Sequence, residues 1–277
     1  MAPCTWWSYD EIAECYDRIA VLHYFERPAR QLISLLELRR GERVLDVGAG
    51  TGIVAVAARN IVGGDRVGAT DLSLQMLRRA RRRQVRCAVV SGLPHLPFDD
   101  RSFDCVTAGF VLNHSLDPHD DLREMARVLC PTGRLGVTSW AVGPADNEIG
   151  MAWSAIAGSF VAPELLAAET GRALPGEQRF ASLEALEETL RDAGLSIVLS
   201  RQIEFPISIT TGDYLESRSA GMTARFMRSI LPASVWQRFE DTVADVFPRT
   251  LGARLNLVTR VNFVIAARTG AGRAAFD

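Results

Sequence analysis

The sequence contains no lysine, so all 31 of its basic side chains are arginine. The 33 acidic residues bring the net charge to −2 at neutral pH. A chain so near neutrality has no general electrostatic attraction for nucleic acid or for anionic membranes. We therefore expect a small-molecule substrate, with no nucleic acid and no membrane among the partners.

Cysteine is scarce, and long apolar runs are missing. The five cysteines form no C-x-x-C pair, which predicts reduced thiols in a cytoplasmic protein and no metal site. No apolar stretch reaches the roughly 18 residues that a membrane span needs. The N-terminus also lacks the basic region and apolar run of a signal peptide. We expect a cytoplasmic monomer or homodimer.

The composition is that of an ordinary globular protein, and predicted strands and helices alternate regularly along the first half of the chain. The 277 residues are 48% hydrophobic, enough for one domain with a sizeable core. Strand-like runs alternate with helix-like segments: strands are predicted over 42–48, 66–71, 86–91, 103–110 and 134–140, and helices over 51–62, 72–84 and 118–129. This alternation predicts a parallel sheet with helices on both faces, and ligands at the carboxyl ends of its strands.

Beyond residue 142 the regular alternation of predicted strands and helices ends. A helix is predicted over 182–193, and strands over 195–205 and 256–267. We interpret 143–180 and 206–252 as helical insertions, because structureless loops of that length are improbable.

A glycine-rich loop follows the first predicted strand, with three glycines spaced by two in 48–52. Glycine permits a tight turn and lets a ligand approach the main chain. A dinucleotide site requires Gly or Ala where Ile53 stands, and Asp46 before the loop disfavours a pyrophosphate. The loop therefore favours a cofactor with an ammonium group. Asp71, at the end of the second strand, is placed to accept ribose hydroxyls.

The loop and the motifs after it resemble class I S-adenosylmethionine-dependent methyltransferases, in the subgroup of ubiquinone/menaquinone-type and natural-product small-molecule enzymes. The motifs lie within residues 40–141. They are the segment 44–52, Leu96-Pro97-Phe98, Ser102-Phe103-Asp104, Leu112-Asn113-His114, Asp117-Pro118 and Glu124-Met125-Ala126-Arg127-Val128-Leu129. The resemblance implies an α/β fold with a Rossmann-like, seven-stranded, mostly parallel sheet, and S-adenosyl-L-methionine as the cofactor.

The resemblance also implies a set of cofactor contacts along the chain. They are Asp46, Gly48, Ala49, Gly50 and Thr51 for the methionine part, Asp71 and Leu72 for the ribose, Gly92 and Leu93 beside the adenine, Gly109 after the fourth strand, and further contacts from Met76 and Tyr16. One departure is Gly92, where the family often has an acid or Asn for the adenine amino group. Adenine recognition must then come from main chain, Ser91 or apolar packing.

The resemblance divides a single methyltransferase domain, residues 1–277, into four parts. They are an N-terminal helical lid (1–40), a cofactor-binding core (41–142) and two substrate-side helical insertions (143–180 and 206–252).

Several residues have a second interpretation. His114 is the predicted general base, since an imidazole titrates near neutrality, but it is otherwise a packed or exposed loop histidine. Asp71 is alternatively a helix N-cap, and Tyr16 a core residue on a helix face. The arginines of 78–86 are interpreted as a solvated helix face rather than a nucleic-acid site.

These observations predict methyl transfer from S-adenosylmethionine to a small, largely apolar acceptor, through an O-, N-, S- or C-nucleophile, in secondary metabolism. The aromatic and methionine residues of the insertions are interpreted either as core or as a substrate wall. One alternative is a member of the fold that uses the cofactor in a non-methylating reaction such as a cyclisation. Others are a non-catalytic regulator and a nicotinamide-dependent dehydrogenase, the last contradicted by Ile53 and Asp46.

Overall fold

The computed structural model describes residues 6–141 and 148–268. Seven strands of this part form one sheet: β1 Val44–Val47, β2 Val67–Asp71, β3 Cys87–Val90, β4 Phe103–Gly109, β5 Leu129–Ala141, β6 Leu195–Thr210 and β7 Arg254–Arg268. Their order is β3-β2-β1-β4-β5-β7-β6. Only β7 runs antiparallel to its neighbours, β5 and β6, and the other pairs are parallel. The α/β fold with a mostly parallel seven-stranded sheet is confirmed.

Helices connect and flank these strands. They are α1 Ala13–Cys15, α2 Glu26–Leu35, α3 Ile53–Val62, α4 Leu74–Arg82, α5 Pro118–Val128, α6 Glu148–Phe160, α7 Pro163–Ala173, α8 Leu183–Asp192, α9 Thr211–Ser219, α10 Met222–Ile230 and α11 Ala233–Leu251. A π-helix, Tyr16–Phe25, joins α1 to α2, and 3-10 turns lie at Leu112–His114 and Arg179–Ala181.

Helices cover both faces of the sheet because each presents one apolar stripe to it. On one face, Leu32 of α2 and Ala55 of α3 pack in a buried cluster with Phe263 of β7. On the other face, Met125 of α5 and Leu190 of α8 pack in a second cluster. Each fully buried leucine or methionine contributes about 1.5–3 kcal/mol, so these two clusters hold the layers together.

A third apolar cluster lies beyond the sheet. It joins helices α6, α7 and α9–α11, which we call the cap, to the outer ends of β6 and β7. Trp153 and Phe239 are buried at its centre, with ring centroids 5.4 Å apart. The cap is therefore packed directly on a continuation of the sheet.

The predicted second insertion, 206–252, begins too early, whereas its end agrees with the structure. Strand β6 continues to Thr210, and β7 begins at Arg254. Burial alternates through this extension, since Phe205, Ile207 and Ile209 are buried and Pro206 and Ser208 are exposed. That period of two is the signature of a strand with one covered face, and Pro206 is tolerated because β6 is an edge strand.

Strand β5 is also longer than predicted, because it begins at Leu129 rather than at residue 134. Leu129 pairs with Phe103 before a shift in register towards Cys105. Pro131 and Gly133 signal the end of α5, and the strand accommodates both at this irregular pairing. Residues 142–147, part of the first predicted insertion, lie outside the described residues.

Within the described ranges, no single helix is long and apolar enough to cross a membrane. The pair α6 and α7 meets that test only when both are counted together, and the two are bent by 111°.

Candidate active site

The strand order brings the carboxyl ends of β2, β1 and β4 side by side. In an open parallel sheet, ligands bind at this edge where the chain reverses its strand order. A cavity of about 50 Å³ lies here. Its walls are the glycine loop, the end of β4 and the N-terminal helices. The N-terminal segment thus closes over the glycine loop.

Two positions of the loop require glycine for different structural reasons. Gly48 has a φ of 62°, and a Cβ there would lie 2.3 Å from Cγ2 of Val111. Gly50 has a φ of 54°, but a Cβ there would meet nothing within 4 Å. Gly48 therefore allows close packing of two loops, whereas Gly50 leaves open space in front of the main chain.

Next to Gly50, Thr51 has a buried hydroxyl that finds no hydrogen-bond partner among the described residues. Buried polar atoms are nearly always hydrogen-bonded. Thr51 and its neighbour Ala49 line the cavity. A polar ligand group in the cleft would satisfy this hydroxyl, so the loop fits a cofactor with polar groups on this side.

Asp46 is buried at the base of the loop and is one of the residues that line the cavity. Its Oδ2 accepts a hydrogen bond from the Ala55 amide at 3.0 Å, and its Oδ1 accepts one from the Thr107 hydroxyl at 2.8 Å. Burial raises the pKa of Asp46 to about 7. Asp46 thus ties the first turn of α3 to β4. Its contact with the methionine part of a cofactor stays a prediction.

Asp71 ends β2 and accepts one main-chain hydrogen bond on each oxygen. Oδ2 accepts from the Gly50 amide and Oδ1 from the Ser73 amide, both at 2.8 Å. Each oxygen keeps a lone pair for a ligand hydroxyl. The N-cap of α4 is Ser73, whose hydroxyl accepts from the Met76 amide. The alternative interpretation of Asp71 as the cap is therefore wrong.

The predicted adenine contacts, Gly92 and Leu93, form an apolar wall after β3 together with the predicted ribose contact Leu72. Leu72 is 78% exposed. A Cβ on Gly92 would lie 2.7 Å from Cδ2 of Leu72, so these two residues touch. Leu93 is half-buried beside them, whereas Met76 is buried within α4, away from the described lining of the cavity. The roles of all four toward the cofactor stay predictions.

Aromatic rings form the far wall of the cavity. Tyr16 meets Phe25 with centroids 5.2 Å apart, and Phe25 meets Phe110 at 5.1 Å. Phe110 stacks on Trp140 at 4.3 Å. Phe110 follows Gly109 and has a φ of 61°, a conformation that costs a bulky residue energy and that is concentrated at functional sites. The sequence reasoning missed Phe25, Phe110 and Trp140, although Phe110 directly follows a predicted contact.

The N-terminal segment is held on α4 by acidic residues. Asp10 accepts hydrogen bonds from the Ser73 hydroxyl at 2.6 Å and the Gln75 amide at 3.1 Å. Asp17 forms ion pairs with Arg79 at 3.6 Å and Arg83 at 2.7 Å. The arginine run is thus more than a solvated helix face, because two of its members bind the N-terminal segment.

The same segment is held on the cap from its other side. Arg18 forms an ion pair with Glu216 of α9. Arg225 of α10 donates a hydrogen bond to the Ser8 carbonyl. The N-terminal segment therefore bridges the cofactor side of the cleft and the cap.

His114 lies where this segment meets the end of β4. Its Nε2 is 3.2 Å from the Tyr9 hydroxyl. Although His114 is an exposed residue, the groups packed against its ring desolvate it in part and lower its pKa. Burial raises the pKa of Tyr9 to about 12 against the opposing charge of Arg225. Burial also raises the pKa of Glu177, which faces Tyr9.

Tyr9 was predicted only as part of the lid, and Glu177 and Arg225 were not predicted at all. Tyr9 and His114 are 105 residues apart, and no periodic pattern connects them. The aromatic and methionine residues of the insertions, by contrast, are mostly core. Trp153, Met222, Phe226, Met227 and Trp236 are buried in the cap. The interpretation as core therefore describes them better than that of a substrate wall.

Metal ligands are not grouped in the ranges 6–141 and 148–268, where no three His, Cys, Asp or Glu side chains are arranged to hold an ion. The thiols of Cys15, Cys87, Cys105 and Cys130 are free.

Comparisons with known proteins agree with this geometry. Residues 45–137 match the model of a methyltransferase domain family. A demethylmenaquinone methyltransferase of Corynebacterium efficiens is 36% identical over 136 residues, which are 48% of this chain and 58% of that one. The chain spans about half the length of the curated relatives it matches.

Solved structures with the same fold include the [4+2]-cyclase SpnF, with a TM-score of 0.60, 19% identity, and coverage of 94% of this chain and 93% of that one. Another is geranyl diphosphate methyltransferase in complex with S-adenosylmethionine, with a TM-score of 0.51, 18% identity, and coverage of 88% and 85%. At these identities the likeness concerns the fold alone.

Proposed function

We propose that this chain, which carries a domain of the methyltransferase family over residues 45–137, transfers a methyl group from S-adenosylmethionine to a small, largely apolar acceptor. The acceptor nucleophile is an O, N, S or C atom, and the reaction belongs to secondary metabolism. When bound, the cofactor supplies a methyl group activated by a sulfonium.

The observation that carries this proposal is the hydrogen bond between Asp71 and the Gly50 amide, at 2.8 Å. It joins the glycine loop to the carboxylate that ends β2, and so fixes two predicted cofactor contacts in one place. The partnerless Thr51 hydroxyl and the open space before Gly50 support a polar ligand between them. Asp71, Leu72 and Gly92 would hold the nucleoside, and Gly50, Thr51 and Gly109 the methionine part.

The aromatic wall supports an apolar acceptor. Tyr16, Phe25 and Phe110 line the cavity, where they exclude water and offer ring faces to a cation such as a sulfonium. Displacement at the methyl carbon depends mainly on alignment of the two reactants and on a dry site. The chain's residues contribute that alignment.

The proposal is tested by mixing the protein with S-adenosylmethionine and a panel of aromatic hydroxyl, amine and thiol acceptors. We expect S-adenosylhomocysteine and a methylated product to form together in equal amounts. A protein that binds the cofactor, converts an acceptor and forms no S-adenosylhomocysteine would instead belong to the non-methylating class. Methylation of a protein or an RNA, with no small acceptor present, would contradict the acceptor class.

A further inference from the structure

Tyr9 and His114 form a hydrogen-bonded pair beside the cleft. The Tyr9 oxygen lies 3.2 Å from Nε2 of His114, and the two rings meet edge to face with centroids 5.5 Å apart. The Tyr9 ring also meets Tyr16 edge to face at 6.0 Å. Tyr16 lines the cavity next to the glycine loop, so the pair lies directly behind this part of the cavity wall.

The direction of this hydrogen bond follows from the second partner of His114. The imidazole is hydrogen-bonded to the backbone of Ala173, and that bond favours its charged form, as donation to a carbonyl does. Burial nevertheless lowers the pKa of His114, so the ring is neutral at pH 7. A neutral imidazole has one donor and one acceptor nitrogen. With the donor directed to Ala173, Nε2 accepts the proton of the Tyr9 hydroxyl.

We propose that Tyr9 and His114 act as a proton relay for a hydroxyl acceptor, an inference that rests on the methyl transfer proposed above. The acceptor O–H bond breaks and its proton passes to the Tyr9 oxygen, while the phenolic proton of Tyr9 moves to Nε2 of His114. The acceptor oxygen keeps the electron pair of the broken bond and uses it to bond the methyl carbon. The pair of the broken C–S bond stays on sulfur, so the imidazolium gains the charge that the sulfonium loses.

Arg225 stabilises the negative charge that develops on Tyr9 during this relay. Its guanidinium carbon lies 5.7 Å from the centroid of the Tyr9 ring, and the residue is 8% exposed. It also donates a hydrogen bond to the carbonyl of Ser8, the residue before Tyr9. This bond holds the guanidinium in position relative to the Tyr9 ring. The negative charges of Asp71 and Glu177 have the opposite effect, since they raise the pKa of Tyr9. The phenol is therefore protonated before the acceptor binds.

The charges around the pair favour a hydroxyl over an amine. A free alkylamine is protonated at neutral pH, and it would bring a third positive charge beside Arg225 and the sulfonium. A phenol or an enol enters neutral, and the group that takes its proton must itself be unprotonated at the working pH. The desolvated His114 has that property.

The first test needs no acceptor. The ¹⁵N and ¹³C resonances of the His114 ring are followed against pH in the intact protein, in Tyr9→Phe and in Tyr24→Phe. Tyr9→Phe removes only the hydroxyl that donates to Nε2. Because that bond favours the neutral ring, we expect its loss to raise the pKa of His114 and to change the tautomer balance. Tyr24 is a buried tyrosine bonded to Ser217 instead, so Tyr24→Phe should change neither.

The second test measures S-adenosylhomocysteine formation with 1-naphthol and with 1-naphthylmethylamine. We expect turnover of the naphthol, and a fall of about 10²-fold in kcat in Tyr9→Phe with an unchanged Kd for the cofactor. The acidic limb of the kcat profile should move with the pKa of His114. Three other charged groups act on Tyr9 and so bear on this pH profile: Arg225, Asp71 and Glu177.

The two tests fail separately. An unchanged His114 titration in Tyr9→Phe overturns the relay, whatever the protein methylates. Turnover of the amine but not of the naphthol overturns the hydroxyl class. If the intact protein forms no S-adenosylhomocysteine with any acceptor, the proposed function fails, while the titration still decides whether Tyr9 donates to His114.

Discussion

The cofactor side and the acceptor side of the cleft are assembled over very different distances in sequence. The bond between Gly50 and Asp71 spans 21 residues, whereas that between Tyr9 and His114 spans 105 and that between Arg225 and Ser8 spans 217. The bond between Gly50 and Asp71 needs only β1, β2 and the loops that follow them. The acceptor side exists only when the N-terminal segment, the end of β4 and the cap are all in place. Damage to one side should therefore spare the other.

The sharpest way to separate the two sides is His114→Ala. Loss of a general base lowers turnover by about 10²–10⁴-fold, while the Kd for S-adenosylmethionine measured by calorimetry should not change. His119→Ala is the matched control, because His119 lies in the first turn of α5, outside the cleft. A fall of less than tenfold in kcat would mean that alignment alone drives the reaction.

The variant Asp46→Asn tests how far the stability of the cofactor side depends on a buried carboxyl group. The pKa of Asp46 is raised to about 7 in the folded chain, so the folded state holds its proton more tightly than the unfolded state does. The associated stability is fully present below about pH 4 and is lost as the pH rises through about 7, which amounts to about 4 kcal/mol at most. We expect Asp46→Asn to flatten this pH dependence in urea unfolding between pH 4 and pH 8. An identical slope in the variant would contradict the assignment.

Asp71→Ala should weaken cofactor binding by about 1–3 kcal/mol, because hydrogen bonds to a charged acceptor are left unmade. Asp71→Asn, which keeps one acceptor oxygen, should lose less. Asp65→Ala is the control, since Asp65 is an exposed acid near the edge of the sheet. Unchanged calorimetric affinity in Asp71→Ala would remove this residue from the site, and a loss of turnover at saturating cofactor would break the separation of the two sides.

The smallest effect is expected at the junction of the two sides. Asp17→Asn removes the ion pairs with Arg79 and Arg83. Exposed and half-buried pairs contribute about 0.2–1 kcal/mol, so the free energy of unfolding should fall by no more than that. Limited proteolysis should nevertheless cut the N-terminal segment faster than in Glu26→Gln, which removes an ion pair within α2. Equal cleavage rates would show that Asp17 does not hold the segment.

The sequence predicts most of the sheet because its signals are local. The strand ending at Val47, the glycine loop and Asp71 each show in a few consecutive residues, and the structure places them together. Interactions that depend on distant packing did not show. The alternation through Ile207 and Ile209 was obscured by Pro206, and the pairing of Asp17 with the arginines of α4 required the path of the N-terminal segment.

The role of a particular residue was also harder to predict than the location of the site. Asp71 and Ser73 both suit a helix cap, and only the hydrogen bonds distinguish them. His114 was predicted as a base from its place after β4. Its partner Tyr9 and the nearby Arg225 come from opposite ends of the chain, and their types carry no distance information.

The N-terminal segment is fastened at both ends, to α4 through Asp10 and Asp17 and to the cap through Arg18 and Ser8. Tyr16, which lies between these attachments, and Phe25, which follows them in the chain, both line the cavity at the glycine loop. In the proposed reaction, the ligand beneath the segment must enter before it closes and must leave after it opens. For a segment that acts as such a lid we expect a compulsory order of events, in which the methyl donor binds first and its demethylated product departs last. S-Adenosylhomocysteine would then compete with the methyl donor alone, and slow opening of the segment would limit the steady-state rate.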